Sequence, residues 1–140
     1  MKIDKDISAS DIMSKELIVL HPKDRLSRAK EIFDQYKIHH IPIAVMGKIK
    51  GIISLGDLLF LEGMVTNTFD QFIQTKKYEL TTVDEIMTAR PFSLPASSKV
   101  SEVLDLMLEK RVNCILLEKN DELDGMLTSY DIMKYFRTLL

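Results

Sequence analysis

Apolar positions along this chain switch between helical and strand spacing, and they do so twice. Leu17 to Leu20 is a short apolar run ending at His21-Pro22, which predicts a short strand. From Asp24 to Tyr36, Leu26, Ala29, Ile32, Phe33 and Tyr36 recur at helical spacing, with Asp24 placed to cap the start. Ile41 to Val45 and Ile49 to Ser54 are strand-like runs. Met46-Gly47-Lys48 between them is a hairpin turn, with glycine supplying the unusual φ. A helix follows from Ser54 to Leu61. The same order then returns: strand Phe92 to Leu94, helix Ser98 to Lys110, strand Asn113 to Leu117, turn Lys119 to Asp121, strand Leu123 to Leu127, helix Thr128 to Leu139.

The two passages superpose at a constant offset of 74 residues, without a gap from position 11 to position 60. Asp11-Ile12-Met13-Ser14 falls on Glu85-Ile86-Met87-Thr88, Gly51 on Gly125, Ser54 on Thr128 and Asp57 on Asp131. The expected organisation is a first repeat over 1–61, a packed linker over 62–82 and a second repeat over 83–140. The fold class is α/β (α+β): two β-α-β-β-α units packed about a pseudo-twofold axis, because one unit alone exposes too much apolar surface. Phe69, Phe72, Ile73, Tyr78 and Leu80 make the linker too apolar for a free tether, and a helix is expected around Thr68 to Thr75.

Composition removes several function classes. Of the 140 residues, 46% are hydrophobic and 29% charged, which excludes a disordered chain. A net charge of −2, with Lys76-Lys77 and Arg137 isolated, gives no basic stripe for nucleic acid, which is not expected as a partner. No apolar run reaches membrane-spanning length, and Met1 to Ser10 lacks the apolar core of a signal peptide. A single cysteine, Cys114, fits a reducing compartment, and the expected localisation is cytoplasmic, with no membrane partner. Cys114 sits in the apolar stretch Val112 to Leu117 and reads as an inert buried thiol. His39 and His40 are adjacent on a strand and point to opposite faces, so with His21 they make no metal site. The methionines Met13, Met87, Met107, Met126 and Met133 fall at core spacing. No nucleophile–base pair marks an enzyme, and no catalytic residue is expected.

The chemistry-bearing feature is duplicated. Gly51-Ile52-Ile53-Ser54-Leu55-Gly56-Asp57 and Gly125-Met126-Leu127-Thr128-Ser129-Tyr130-Asp131 both read Gly-apolar-apolar-Ser/Thr-x-x-Asp, at a strand end that opens a helix. One reading is a capping box, in which each side chain satisfies the other's backbone N–H. The other uses the same geometry for a ligand. A helix N-terminus suits a phosphate, and a carboxylate one turn in can accept two hydrogen bonds from a ribose diol.

Together these motifs, with Ile38-His39-His40-Ile41-Pro42-Ile43, resemble the CBS-domain pair, or Bateman module, over nearly the whole chain. The resemblance implies a disc with two clefts related by the pseudo-twofold axis, which in members often bind adenosine compounds. Carried over, Thr128 and Asp131 would face Val19, Leu20, His39 and His40. Ser54 and Asp57 would face Phe92, Ser93, Asn113 and Cys114. A basic residue at His39, against neutral Asn113, favours the Thr128/Asp131 site for a polyphosphate. The resemblance therefore implies a stand-alone regulatory module and no required cofactor. Candidate ligands are AMP, ADP, ATP, NAD, S-adenosylmethionine and cyclic di-AMP. The module would be a homodimer signalling to an unknown protein effector. The alternative is a structural dimerisation module with no nucleotide bound. Basic Lys48 and Lys50 on one hairpin and acidic Glu118, Asp121, Glu122 and Asp124 on the other fit solvated turns or a contact between copies.

Overall fold

In the computed structural model, which describes residues 3–63 and 67–140, helices and strands follow the repeated pattern closely. Met1, Lys2 and residues 64–66 of the expected linker lie outside the described residues. A four-residue helix, α1 (Ala9–Ile12), leads to α2 (Leu26–Gln35), whose Leu26, Ala29, Ile32 and Phe33 are buried along one face. The expected Asp24 cap does not form. Arg25 takes the cap position, and the Leu26 N–H is satisfied by the Thr81 carbonyl at 2.7 Å. Asp24 instead closes the preceding turn by accepting from the His21 N–H at 2.8 Å.

The hairpin of β1 (His40–Val45) and β2 (Lys48–Ser54) then runs into α3 (Leu55–Glu62). Its turn has two positive-φ residues, Met46 at 49° and Gly47 at 82°, the type I′ geometry that matches strand twist. The linker carries α4 (Thr68–Leu80), which buries Tyr78 and packs on α2. Next come β3 (Thr88–Ala89), β4 (Ser93–Pro95) and α5 (Val100–Lys110). The second hairpin joins β5 (Cys114–Lys119) to β6 (Glu122–Thr128), with Asn120 and Asp121 both at positive φ, and leads to α6 (Ser129–Thr138). Both hairpins carry a bulge at the same place in the repeat, Ile43/Ala44 and Leu117/Glu118. The mixed α/β (α+β) class read from the sequence is the class observed. Among the described residues there are two three-stranded sheets, β1-β2-β3 and β4-β5-β6.

The repeats differ at their first strand, and two prolines explain it. In the second repeat β4 runs parallel to β5, flanked by bonds from the Leu116 N–H to Phe92 and from the Ala96 N–H to Glu118. The equivalent donors in the first repeat would come from Pro42 and Pro22, which have no N–H. The expected Leu17–Leu20 strand is therefore reduced to a single bridge, Leu20 to Ile43.

The chain divides into two compact units, and they cut across the repeats. One combines Met1–Leu17 with Pro91–Leu140; the other is Ile18–Arg90. In each, the leading segment of one repeat is hydrogen-bonded to the body of the other. Ser8 bridges Lys99 in the first unit and Thr82 bridges Arg25 in the second, at the same offset of 74. There Asp11 accepts from the Ser8 N–H at 3.1 Å and Glu85 from the Thr82 N–H at 2.7 Å, the same half of a capping box at both places. The core of the first unit gathers Ala9, Met13, Val103, Met107, Ile115 and Leu127. The core of the second gathers Leu20, Leu26, Ile32, Ile41, Ile53 and Val83. Met133 corrects the sequence expectation. It is 62% exposed on α6, where it lines a groove together with Phe136 and with Leu140 just past the helix. Among the described residues no helix is long and apolar enough to cross a membrane.

Candidate functional site

Both Gly-apolar-apolar-Ser/Thr-x-x-Asp stretches sit where a strand feeds a helix. Ser54 stays extended (φ −111°, ψ 156°) and caps α3; Thr128 does the same (φ −111°, ψ 165°) for α6. The Ser54 hydroxyl accepts from the Asp57 N–H at 3.2 Å, and the Asp57 Oδ2 accepts from the Ser54 N–H at 2.8 Å. At the second motif the matching distances are 3.2 and 2.9 Å. Each motif is thus a formed capping box, with its carboxylate held against the positive end of a helix.

The two carboxylates differ in what else they meet. Asp131 is 5% exposed. Its Oδ2 also accepts from the Thr128 hydroxyl at 3.0 Å, and its Oδ1 accepts from the Ser14 hydroxyl at 3.0 Å, with Lys134 Nζ 4.0 Å away. Asp57 is half-buried, and among the described residues no donor reaches its Oδ1. Thr88, at the position equivalent to Ser14, is exposed and makes no such bond.

The glycine of each motif has a steric cause. A Cβ on Gly51 would run into the Met87 side chain and the Thr88 carbonyl; one on Gly125 would run into the Met13 side chain. The Ile-Met-Ser/Thr motif at each repeat's start thus lies directly over the glycine of the other repeat. β3 pairs with β2 at Gly51 and Ile52, and Ser14 bridges Met126.

The remaining site residues divide between the units. Val19, Leu20, His39 and His40 belong to the unit that holds Ser54 and Asp57; Phe92, Ser93, Asn113 and Cys114 belong to the unit that holds Thr128 and Asp131. Within the one, the exposed His39 lends its carbonyl to the Leu55 N–H at 2.8 Å, and His40 pairs with Ser54. Val19 is 42% exposed and Leu20 buried. Within the other, the Asn113 carbonyl takes the Ser129 N–H at 3.0 Å, and Cys114 pairs with Thr128. Phe92 is partly exposed beside Lys110, and Ser93 opens β4.

The sequence pattern that defines the CBS domain matches residues 9–63 and 83–138. The chain belongs to the CBS domain family. Among curated proteins, this CBS chain is 24% identical over 138 residues to the uncharacterized protein MJ1225 of Methanocaldococcus jannaschii, covering 96% of this chain and 49% of that protein. It is 29% identical over 80 residues to MJ0450 of the same organism, covering 57% and 41%. The chain therefore spans less than half the length of these relatives. Among solved structures, CBSX2 of Arabidopsis thaliana in complex with AMP has the same CBS-pair fold, with a TM-score of 0.77 and 23% identity over 94% of this chain and 97% of that one. The CBS domain pair of protein MJ0100, in complex with 5′-methylthioadenosine and S-adenosyl-L-methionine, gives a TM-score of 0.77 and 24% identity over 96% and 98%.

Cys114 is part-buried. Burial, and secondarily the Asp131 carboxylate, pushes its thiol pKa up to about 12. A thiol held protonated is a poor nucleophile and a poor metal ligand. Among the described residues no three His, Cys, Asp or Glu side chains come together as a metal set. Ser14 was not among the expected site residues. Its signal in this CBS sequence is its place in the repeated Ile-Met-Ser/Thr motif, but nothing local to Ser14 points to Asp131.

Proposed function

We propose that this chain is a regulatory CBS-pair module that binds an adenosine-containing ligand at its Ser/Thr-x-x-Asp helix starts. The observation that carries the reading is the duplicated carboxylate fixed by its own capping box, with no donor to Asp57 Oδ1 among the described residues. A carboxylate held so can accept both hydroxyls of a ribose at little entropic cost. The ligands named in the CBSX2 and MJ0100 complexes share adenosine and differ in phosphate, which supports a ribose and base requirement. Val19, Leu20, Phe92, Ser93, Asn113 and Cys114 are the proposed flanking residues. His39 is the proposed contact to phosphate where the ligand carries one, and His40 is a further flanking residue. Binding would shift the module between conformations or assembly states, to the extent that the ligand prefers one of them.

A second reading has its own support. Both capping boxes are complete without a ligand, and Phe60, Met133, Phe136 and Leu140 are exposed large apolar side chains. A homodimerisation module would use such faces.

One experiment separates the two: thermal unfolding and light scattering with AMP, ATP, S-adenosylmethionine, 5′-methylthioadenosine and cyclic di-AMP. A ligand at 100 times its Kd adds about 2.7 kcal/mol, a rise of several degrees. The expected result is a rise with at least one adenosine compound, diminished in Asp57→Asn or Asp131→Asn. No rise with any of them, together with a dimer mass, establishes the second reading instead.

A further inference from the structure

The two motifs are alike in sequence and unlike in what their carboxylates already hold. We propose that Ser14 sets the affinity of the Thr128–Asp131 motif, occupying the carboxylate oxygen that a ribose diol needs, so that the Ser54–Asp57 motif fills first. The inference rests on the adenosine-ligand reading and concerns how that site is regulated.

A diol takes both oxygens of a carboxylate or two lone pairs of one. At Asp131, Oδ2 is committed to the Thr128 N–H and hydroxyl, at 2.9 and 3.0 Å. The free capacity is on Oδ1, and there the Ser14 hydroxyl donates at 3.0 Å. Ser14 is a fixed competitor rather than a passing contact. Its backbone N–H donates to the Met126 carbonyl at 2.9 Å and its carbonyl accepts from the Met126 N–H at 3.0 Å. Met13 beside it is packed over Gly125. The backbone stays anchored while χ1 turns, so a ligand can displace the hydroxyl without detaching the segment. Among the described residues Asp57 has no such competitor: Thr88, at the position equivalent to Ser14, is exposed and its hydroxyl is not bonded to Asp57. Ser14 is thus a positioning residue that holds the second motif in a weaker state.

Isothermal titration with AMP tests this. Asp57→Asn leaves only the second motif. In that background Ser14→Ala should bind AMP about tenfold tighter, the worth of one hydrogen bond to a charged group that no longer competes. Ser14→Thr, which keeps the hydroxyl, should restore the weaker binding. 2′-Deoxy-AMP, with one hydroxyl of the diol missing, should gain less than AMP. In the Asp131→Asn background, Thr88→Ala should leave AMP affinity at the first motif unchanged. If Ser14→Ala does not fold, Ser14→Cys replaces it, since a thiol is a weaker donor. AMP binding that Asp131→Asn removes and Ser14→Ala leaves unchanged or weakens overturns the inference while the ligand reading stands. AMP binding indifferent to both Asp57→Asn and Asp131→Asn, or absent from every variant, overturns the reading itself and the inference with it.

Discussion

The thiol of Cys114 shows how one residue's surroundings fix its chemistry. Its pKa, raised from 9.0 to about 12 by burial and then by Asp131, means that the folded chain holds this proton more tightly than the unfolded chain. The resulting stability is fully present below the ordinary thiol pKa and is lost as pH rises from about 9 towards about 12. Urea unfolding across that range should therefore show a steeper loss of stability in the natural sequence than in Cys114→Ser. Parallel curves would show that the thiol is not held protonated. The inertness of this cysteine was legible in the sequence, because its neighbours Val112 to Leu117 are apolar. The burial of Asp131 was not. Its carboxylate is bonded to Ser14, 117 residues away, and local spacing carries no information about a partner so distant.

At the scale of elements, the duplicated motifs set both a similarity and a difference. The Gly51 site is crowded by the Thr88 backbone as well as by Met87, whereas the three atoms nearest a Cβ on Gly125 all belong to the flexible Met13 side chain. Gly51→Ala should cost about 1–3 kcal/mol, the usual range for overpacking, and Gly125→Ala distinctly less. Denaturant midpoints would measure both, and equal losses would show that Met87 and Thr88 give way as easily as Met13. The prolines make the converse point. Helix and hairpin positions followed from periodicity and turn chemistry, to within a few residues. The weakness of the first repeat's opening strand also has a sequence cause, Pro22 and Pro42. It becomes visible only once the second repeat shows which two N–H groups such a strand requires. The Asp24 cap failed for a related reason: the Thr81 carbonyl reaches the first N–H of α2 from the linker.

At the scale of the whole molecule, the exchange of leading segments makes each unit depend on both repeats. Ala9 and Met13 belong to the core built on β5 and β6, so a chain beginning at Lys15 would lack two buried side chains there. Loss of a buried methionine alone is worth roughly 2–5 kcal/mol. Hydrogen exchange on that truncated chain should show amides of residues 114–128 losing protection while those of 40–54 retain it. Uniform protection would mean that the leading segment is dispensable. The sequence by itself determined the repeat, its element order, the family and the duplicated Ser/Thr-x-x-Asp helix starts, because each is written in local periodicity or in recurrence at a fixed offset. Only the tertiary structure decided which segment completes which core, and that Ser14 bonds one carboxylate while Thr88, its equivalent, does not bond the other. Those outcomes depend on hydrogen bonds and contacts between residues far apart in the chain, whose geometry exists only after the backbone has folded.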